Sequence, residues 1–287
     1  MRRVLITGAR GLLGREIAKA FLLSGFDVRE TDLAELDVTD LAACREAVSS
    51  MRPAIVIHCA AYTAVDRAES EEKAAFALNE EGTRNIATAC KNCGALVVTF
   101  GTDYVFDGTL GRPYREDDPA CPLSVYGKSK LAAEGALLES GCEHLLVRTQ
   151  WLYGPGGKNF INTILDKARK GEVLKVASDQ VGRPTFTRDL SAAVLRLVKA
   201  DARGVVHFSN AGETTWFELA QFAIEKKGLR DAKLFPAPTR DLPYPAPRPA
   251  YSVLCTEKYS GIVGESPRPW REAVFEFLSD ISFGGAV

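Results

Sequence analysis

The feature that most constrains this chain lies at its start. Val4-Leu5-Ile6-Thr7 is a short apolar, β-branched run that ends in Gly8-Ala9-Arg10-Gly11-Leu12-Leu13-Gly14. An amphipathic helix is predicted from about Leu12 to Ser24, with Ile17, Ala18, Phe21 and Leu22 on one face. Strand, glycine-rich turn and helix in that order can hold a dinucleotide. Gly8 allows the tight turn, Gly11 lets backbone approach pyrophosphate, Gly14 lets helix and strand pack closely, and the helix N-terminus faces the negative charge. A chain that begins this way is expected to be α/β, a doubly wound parallel sheet of the Rossmann kind. Gly8, Arg10, Gly11, Leu12, Leu13 and Gly14 are then candidate cofactor-binding residues.

Later segments extend the pattern. Phe26 to Thr31 reads as a second strand closing at Asp32, an acidic residue about 20 positions past the loop and so placed to take the adenosine ribose hydroxyls. That favours NAD, whereas Arg10 and Arg29 could hold a 2′-phosphate, so NADPH or NADH stays open; Asp37 and Val38 are further neighbours of the adenosine. Ala54-Ile55-Val56-Ile57-His58 is a third strand, apolar as a central parallel strand should be, with His58 read as a packed core histidine. The small residues after it leave room for a cofactor and add Ala60, Ala61 and Tyr62 to the candidates. Residues 70 to 93 are predicted as one long helix holding Asn79 and Asn85, Leu96 to Phe100 as a fourth strand, Cys142 to Arg148 as another, and Thr187 to Lys199 as a helix.

The chemistry is sought where open α/β sheets put their ligands, at the carboxyl ends of the strands. Thr102 stands there, 24 residues before Tyr126, and Lys130 follows Tyr126 by four. On a helix that spacing puts phenol and ammonium on one face, one turn apart, and a cation beside a phenol lowers its pKa from about 10 towards neutrality. Thr102 could hydrogen-bond the substrate oxygen that Tyr126 protonates. An aromatic residue and a lysine four apart also occur by chance on solvated helix faces, so the pair gains weight from the loop and the strand-end hydroxyl around it.

Composition excludes some classes. With 36 basic and 37 acidic residues the net charge is -1, and no basic face for nucleic acid is implied. Seven scattered cysteines, an odd number, argue against a disulfide framework and for a reducing, cytoplasmic setting. Cys90 and Cys93 form a C-x-x-C pair without a second pair or a histidine cluster, so no metal is predicted. No stretch reads as a signal peptide or membrane span. Beyond about Thr149 the composition changes: Gln150 to Phe160 is rich in glycine and aromatics, Pro236 to Pro249 packs six prolines into a loop, and a last amphipathic helix runs around Trp270 to Leu278 before a frayed tail, Gly284 to Val287. The expected division is a dinucleotide-binding domain over 1–149 plus about 187–208, and a smaller C-terminal α/β substrate-binding region over about 150–186 and 209–287.

With these motifs in hand, the chain resembles the extended short-chain dehydrogenase/reductases, in which the loop has the form G-x-x-G-x-x-G, and within them the dTDP-4-dehydrorhamnose reductase family. The likeness spans nearly the whole chain and is sharpest at Thr102-Asp103-Tyr104-Val105-Phe106-Asp107-Gly108 and Asp179-Gln180-Val181-Gly182-Arg183-Pro184-Thr185. It implies reduction of the 4-keto group of dTDP-4-dehydro-L-rhamnose by NAD(P)H, with Thr102, Tyr126 and Lys130 as catalytic residues. Tyr126 and Lys130 would also touch the cofactor. Thr63, Val65, Thr102, Asp103, Tyr104 and Trp151 would border the sugar, and Asn159, Arg183 and Arg248 the nucleotide and its phosphates. The partner implied is a small-molecule nucleotide sugar, with no nucleic acid and no membrane, and a homodimer is compatible with the family. The pattern departs at Tyr251, where members usually carry asparagine. Some members bind magnesium between subunits through glutamates; Glu16 matches one such position and the others find no match. An epimerase or dehydratase of nucleotide sugars shares the scaffold, but dehydratases usually place an acidic pair after the Ser/Thr, and this chain has Asp103-Tyr104. A relative that binds cofactor as a regulatory subunit of methionine adenosyltransferase is the non-enzymatic alternative.

Overall fold

In the computed structural model, residues 2–91 and 93–281 are described; the predicted tail at Gly284 to Val287 lies outside them. Six parallel strands form the central sheet: β1 (Arg3–Thr7), β2 (Asp27–Thr31), β3 (Ile55–His58), β4 (Leu96–Thr102), β5 (His144–Thr149) and β6 (Gly204–His207), in the order β6-β5-β4-β3-β1-β2. Strand order reverses between β1 and β3, because the chain adds β2 on one side and then crosses to the other. All six carboxyl ends lie on one edge, and the reversal opens a crevice there.

Pleating sends successive residues to opposite faces and so builds two cores. Val4 and Ile6 of β1 point to the face covered by α1 (Leu12–Leu23) and the helix Thr187–Lys199, against Ile17, Phe21, Leu190 and Val194. Leu5 points to the other face, where it joins Val56, Val97 and Leu146 beneath α2 (Leu41–Met51) and the helix Val125–Ser140. Each large aliphatic side chain buried this way contributes about 1.5–3 kcal/mol. A third cluster gathers Tyr153, Ile161, Leu165, Phe186, Leu219, Trp270 and Phe277 from the second half. There Val173–Ala177 pairs with Lys233–Ala237 and Leu152–Tyr153 with Thr185–Phe186, both parallel. Pro236 thus sits in a strand, so the proline-rich loop begins one element later than expected.

The stretch predicted as one helix over 70 to 93 is helical but not uniform. Glu72–Phe76 is α-helical, Ala77–Glu81 is a π turn, and Gly82–Lys91 resumes the α-helix. The wider turn admits an extra residue into the helix and changes which face its side chains occupy. Asn79, in the turn, is 1% exposed and hydrogen-bonds across the interior. Among the described residues no helix is long and apolar enough to cross a membrane.

Candidate active site

The glycine loop forms one wall. Gly8 has φ +63°, and a side chain there would meet Ala60 N at 2.6 Å; one at Gly14 would meet the Gly8 carbonyl oxygen at 2.3 Å. Neither position can take a Cβ without movement, so the start of α1 lies directly on the loop after β3, where Ala60, Ala61 and Tyr62 follow. Asp32, at the end of β2, accepts the Arg10 backbone N–H at 3.0 Å, and the Arg10 guanidinium pairs with Glu35. That engagement leaves Asp32 at the adenosine end of the crevice, while Arg29 is exposed. Asp37 binds the Thr39 N–H and hydroxyl, which lower its pKa, and buried Val38 gives its carbonyl to Asn85.

The opposite wall is the start of the helix Val125–Ser140. Ser124 caps it by accepting the Gly127 N–H at 3.1 Å, and Glu69 accepts the Val125 N–H at 2.8 Å. Here too the backbone is close: a Cβ on Gly127 would fall 2.3 Å from the Tyr104 carbonyl oxygen. This contact sets Tyr126 beside the end of β4, with its ring edge-on to Tyr104 at 5.6 Å between centroids. Asn79 ties the helix to the loop after β3. Its amide donates to Ser129 Oγ at 2.9 Å and accepts the Tyr62 N–H at 2.8 Å, while Ser129 donates to the Tyr126 carbonyl at 2.8 Å.

Thr102 therefore hydrogen-bonds the Tyr126 phenol, and Lys130, one helical turn beyond Tyr126, lies close enough to the end of β3 for His58 to feel its charge. Lys130 is 6% exposed, and burial draws its ammonium down to about 8 against the raising effect of Glu134 one turn further on. Tyr126 departs from the sequence expectation: burial pushes its phenol up to about 12, the Thr102 hydrogen bond lowers it, and the Asp103 charge raises it again. Desolvation thus outweighs what a neighbouring cation was expected to do. Thr102 accepts the Tyr104 N–H at 3.2 Å and lies 3.2 Å from the Asp103 carboxyl, which Ser252 also bonds at 2.5 Å. His58 is buried, bonded through Nδ1 to Thr7 Oγ1 at 2.7 Å, and burial with the Lys130 charge holds it down to about 3, so it packs as a neutral ring. Glu134, 4% exposed, forms a buried ion pair with Arg148 at 2.7 Å.

The remaining candidates come from the second half and from the helix Val65–Ala68. Val65 begins that helix, its N–H bonded to the carbonyl of Thr63 just before it, and Asp66 pairs with Arg248 at 2.8 Å; the guanidinium lies 4.0 Å from the centroid of the Tyr244 ring. Arg183 bonds the Leu254 carbonyl at 3.1 Å and lies 3.6 Å from Glu213, which also accepts the Tyr251 hydroxyl; Arg183 Nε is buried and unpaired. Trp151, at φ +47°, stacks on Trp216 at 3.7 Å. Asn159 stands apart from this group in its bonding: it caps the helix Phe160–Arg169 by accepting the Asn162 N–H and donates to the Gly154 carbonyl, so its side chain is spent within its own loop. At Glu16 the local cation is protein: Arg188 Nε lies 3.8 Å away and its other nitrogens bind Glu276 and Asp280.

Asn79, Ser129 and Ser252 bond to residues of the site without having been expected there. Nothing in the local pattern singles out the first or the last, since their partners lie 50 and 149 positions away. Glu134 did carry a signal, as the next residue on the i, i+4 face after Tyr126 and Lys130.

A parallel sheet of this order, a G-x-x-G-x-x-G loop at its switch point, and a Thr-Tyr-Lys set at the facing helix define a short-chain dehydrogenase/reductase of the extended type. Residues 1–283 match the model of the family described as the RmlD substrate binding domain, and the chain belongs to that family. It is similar to dTDP-4-dehydrorhamnose reductase of Streptomyces griseus, with 43% identity over 96% of this chain and 92% of the relative. Among solved structures it resembles dTDP-4-dehydrorhamnose reductase from Clostridium acetobutylicum (TM-score 0.93, 38% identity, covering 96% of this chain and 98% of that one). It also resembles the enzyme from Bacillus anthracis in complex with NADP (TM-score 0.94, 34% identity, covering 98% and 100%).

Proposed function

We propose that the protein reduces the 4-keto group of dTDP-4-dehydro-L-rhamnose to give dTDP-L-rhamnose, using NADPH or NADH, in the cytoplasm. The observation that carries this reading is the Thr102–Tyr126 hydrogen bond at the carboxyl end of β4, with Lys130 one helical turn beyond Tyr126, in a chain whose Gly8 and Gly14 let α1 pack directly on the loop after β3.

Nicotinamide, when bound, supplies the hydride. The rest of the chemistry belongs to the chain. Tyr126 holds a proton across the neutral range, because its phenol is raised to about 12, and it gives that proton to the oxygen of the ketone as negative charge develops there. Lys130 stays charged below about 8, stabilises the phenolate left behind and offers donors to the cofactor ribose. Thr102 orients the ketone oxygen. Thr63, Val65, Tyr104 and Trp151 border the sugar. Arg183 and Arg248 are poised for the diphosphate, each now facing a carboxylate, Glu213 and Asp66, that a doubly charged ligand would replace with bidentate, charge-assisted bonds.

The test is oxidation of NADPH and of NADH by the purified protein with enzymatically made dTDP-4-dehydro-L-rhamnose, the product sugar being identified by NMR. Formation of dTDP-L-rhamnose is expected. Cofactor binding without oxidation would overturn the reading, and oxidation only with a different 4-keto sugar would move the substrate while keeping the reaction.

A further inference from the structure

Asp103 is 1% exposed, the most deeply buried carboxylate in the site. It lies between two hydroxyls from distant parts of the chain. Thr102 Oγ1 is 3.2 Å from its Oδ1, and Ser252, three residues past the Arg248-Pro249 turn, donates to its Oδ2 at 2.5 Å. Thr102 in turn receives the Tyr104 N–H at 3.2 Å and hydrogen-bonds the Tyr126 phenol.

A hydroxyl has one proton to give and two lone pairs to receive with. If Asp103 is ionised it can only accept, and the Thr102 proton is drawn to it and away from the crevice. A neutral Asp103 instead donates to Thr102. Thr102 then receives from Tyr104 and Asp103, filling both lone pairs, and its own proton is turned to the crevice, where it meets the Tyr126 phenol oxygen until a ketone oxygen takes that place.

Resting on the reductase reading above, we propose that Asp103 is a positioning residue that turns the Thr102 hydroxyl: as a neutral acid it donates to Thr102 and leaves the Thr102 proton for the ketone, with Ser252 anchoring the far oxygen of the carboxyl. No covalent step is added: Asp103 takes up one proton from solvent as pH falls, and the Asp103–Thr102 hydrogen bond keeps its place and reverses its direction. Burial raises the Asp103 carboxyl to about 7, while the Ser252 and Thr102 hydrogen bonds lower it, so both states are reached near neutral pH. The titratable groups that face Asp103 are Tyr104 on its own turn and Tyr126 on the facing helix, both raised by its charge; Lys130 titrates in the same crevice near 8.

The pairing with Ser252 also fixes what a substitution would do. In Asp103→Asn the Ser252 hydroxyl selects the amide oxygen, so the amide nitrogen faces Thr102 and donates at every pH. In Ser252→Ala the carboxylate loses a donor and keeps its proton to higher pH.

The experiment is kcat/KM against pH for the parent and both variants with dTDP-4-dehydro-L-rhamnose and NADPH, alongside 13C NMR titration of labelled aspartate carboxyls. The parent should lose activity as pH rises through about 7 and again through about 8. Asp103→Asn should keep only the upper step, retaining roughly tenfold more of its own maximum at pH 8 than the parent. Ser252→Ala should move the lower step upward, together with the carboxyl resonance that is absent from Asp103→Asn. Turnover with the same alkaline limb in all three proteins, or an Asp103 carboxyl that titrates below 5, would overturn the inference and leave the reductase reading standing. No turnover by the parent at any pH would instead remove the reductase reading, and this inference with it. A variant that lost packing alone would lower the whole curve without moving its limb.

Discussion

At the scale of single residues, the proposed proton donor is the phenol of Tyr126. Tyr126→Phe keeps the ring that meets Tyr104 edge-on and removes the proton, so kcat should fall by about 10²–10⁴-fold while cofactor affinity, read by fluorescence titration, changes little. Activity within a few-fold of the parent would end the proton-donor role. Asp32 decides a different matter. With its carboxylate on the Arg10 N–H and the Arg10 guanidinium taken by Glu35, it disfavours a 2′-phosphate, and NADH should be usable. Asp32→Ser should shift the NADPH/NADH ratio of kcat/KM towards NADPH by about tenfold, or about 1.4 kcal/mol; an unchanged ratio would show that another group selects the cofactor. These two side chains were legible in the sequence because their partners are local: a lysine one helical turn away and a glycine loop one strand back. The direction of the Tyr126 shift was not legible, since it depends on how much water the folded crevice excludes.

Among elements, the loop and helix that open the chain depend on close approach. Gly14→Ala would drive a methyl to 2.3 Å from the Gly8 carbonyl. It should destabilise the fold by about 1–3 kcal/mol and weaken dinucleotide binding as α1 lifts from the loop. Denaturant unfolding and cofactor titration on the same protein read both effects, and a variant with parental stability and affinity would show that the contact relaxes at no cost. The strands of the sheet were readable as apolar runs because a central parallel strand is buried on both faces. The π turn at Ala77–Glu81 was not, because helical periodicity averages over one inserted residue. Its consequence is concrete all the same, since Asn79 reaches both the Tyr62 N–H and Ser129 from that turn.

For the molecule as a whole, buried titratable groups tie stability to pH. His58 and His207 are both held down to about 3 by burial and by nearby cations, Lys130 and Arg148 respectively. The unfolded chain takes up these protons from about 6.5 downward and the folded one does not until near 3, so their contribution is lost as pH falls through that window. Asp103 has the opposite sign: its folded pKa lies above the unfolded 3.8, so its contribution is present at low pH and is lost as pH rises towards 7. From these three groups, Asp103→Asn should show a steeper fall in unfolding free energy between about pH 6 and 4.5 than the parent, measured by urea titration. Equal slopes would mean that Asp103 titrates in the folded protein as it does in the unfolded chain. Part of that balance could be read from the sequence, since His58 in its apolar run is expected to pack in the core, whereas an aspartate after a threonine carries no mark of how deeply it is buried. The class of fold could, because the glycine loop and the chain length leave few other arrangements.

The stacked indoles of Trp151 and Trp216 give the molecule an optical property as well as a shape. The sequence has three tryptophans, and the third, Trp270, is 1% exposed in the core of the second half. Two parallel indoles 3.7 Å apart should couple electronically and give a paired band in circular dichroism. Trp151 is the member that borders the sugar in the reading above, so the entry of a nucleotide sugar should perturb that band and the emission together. The protein then reports occupancy of its own substrate site without a label, and binding order can be followed by light even in variants that no longer turn over.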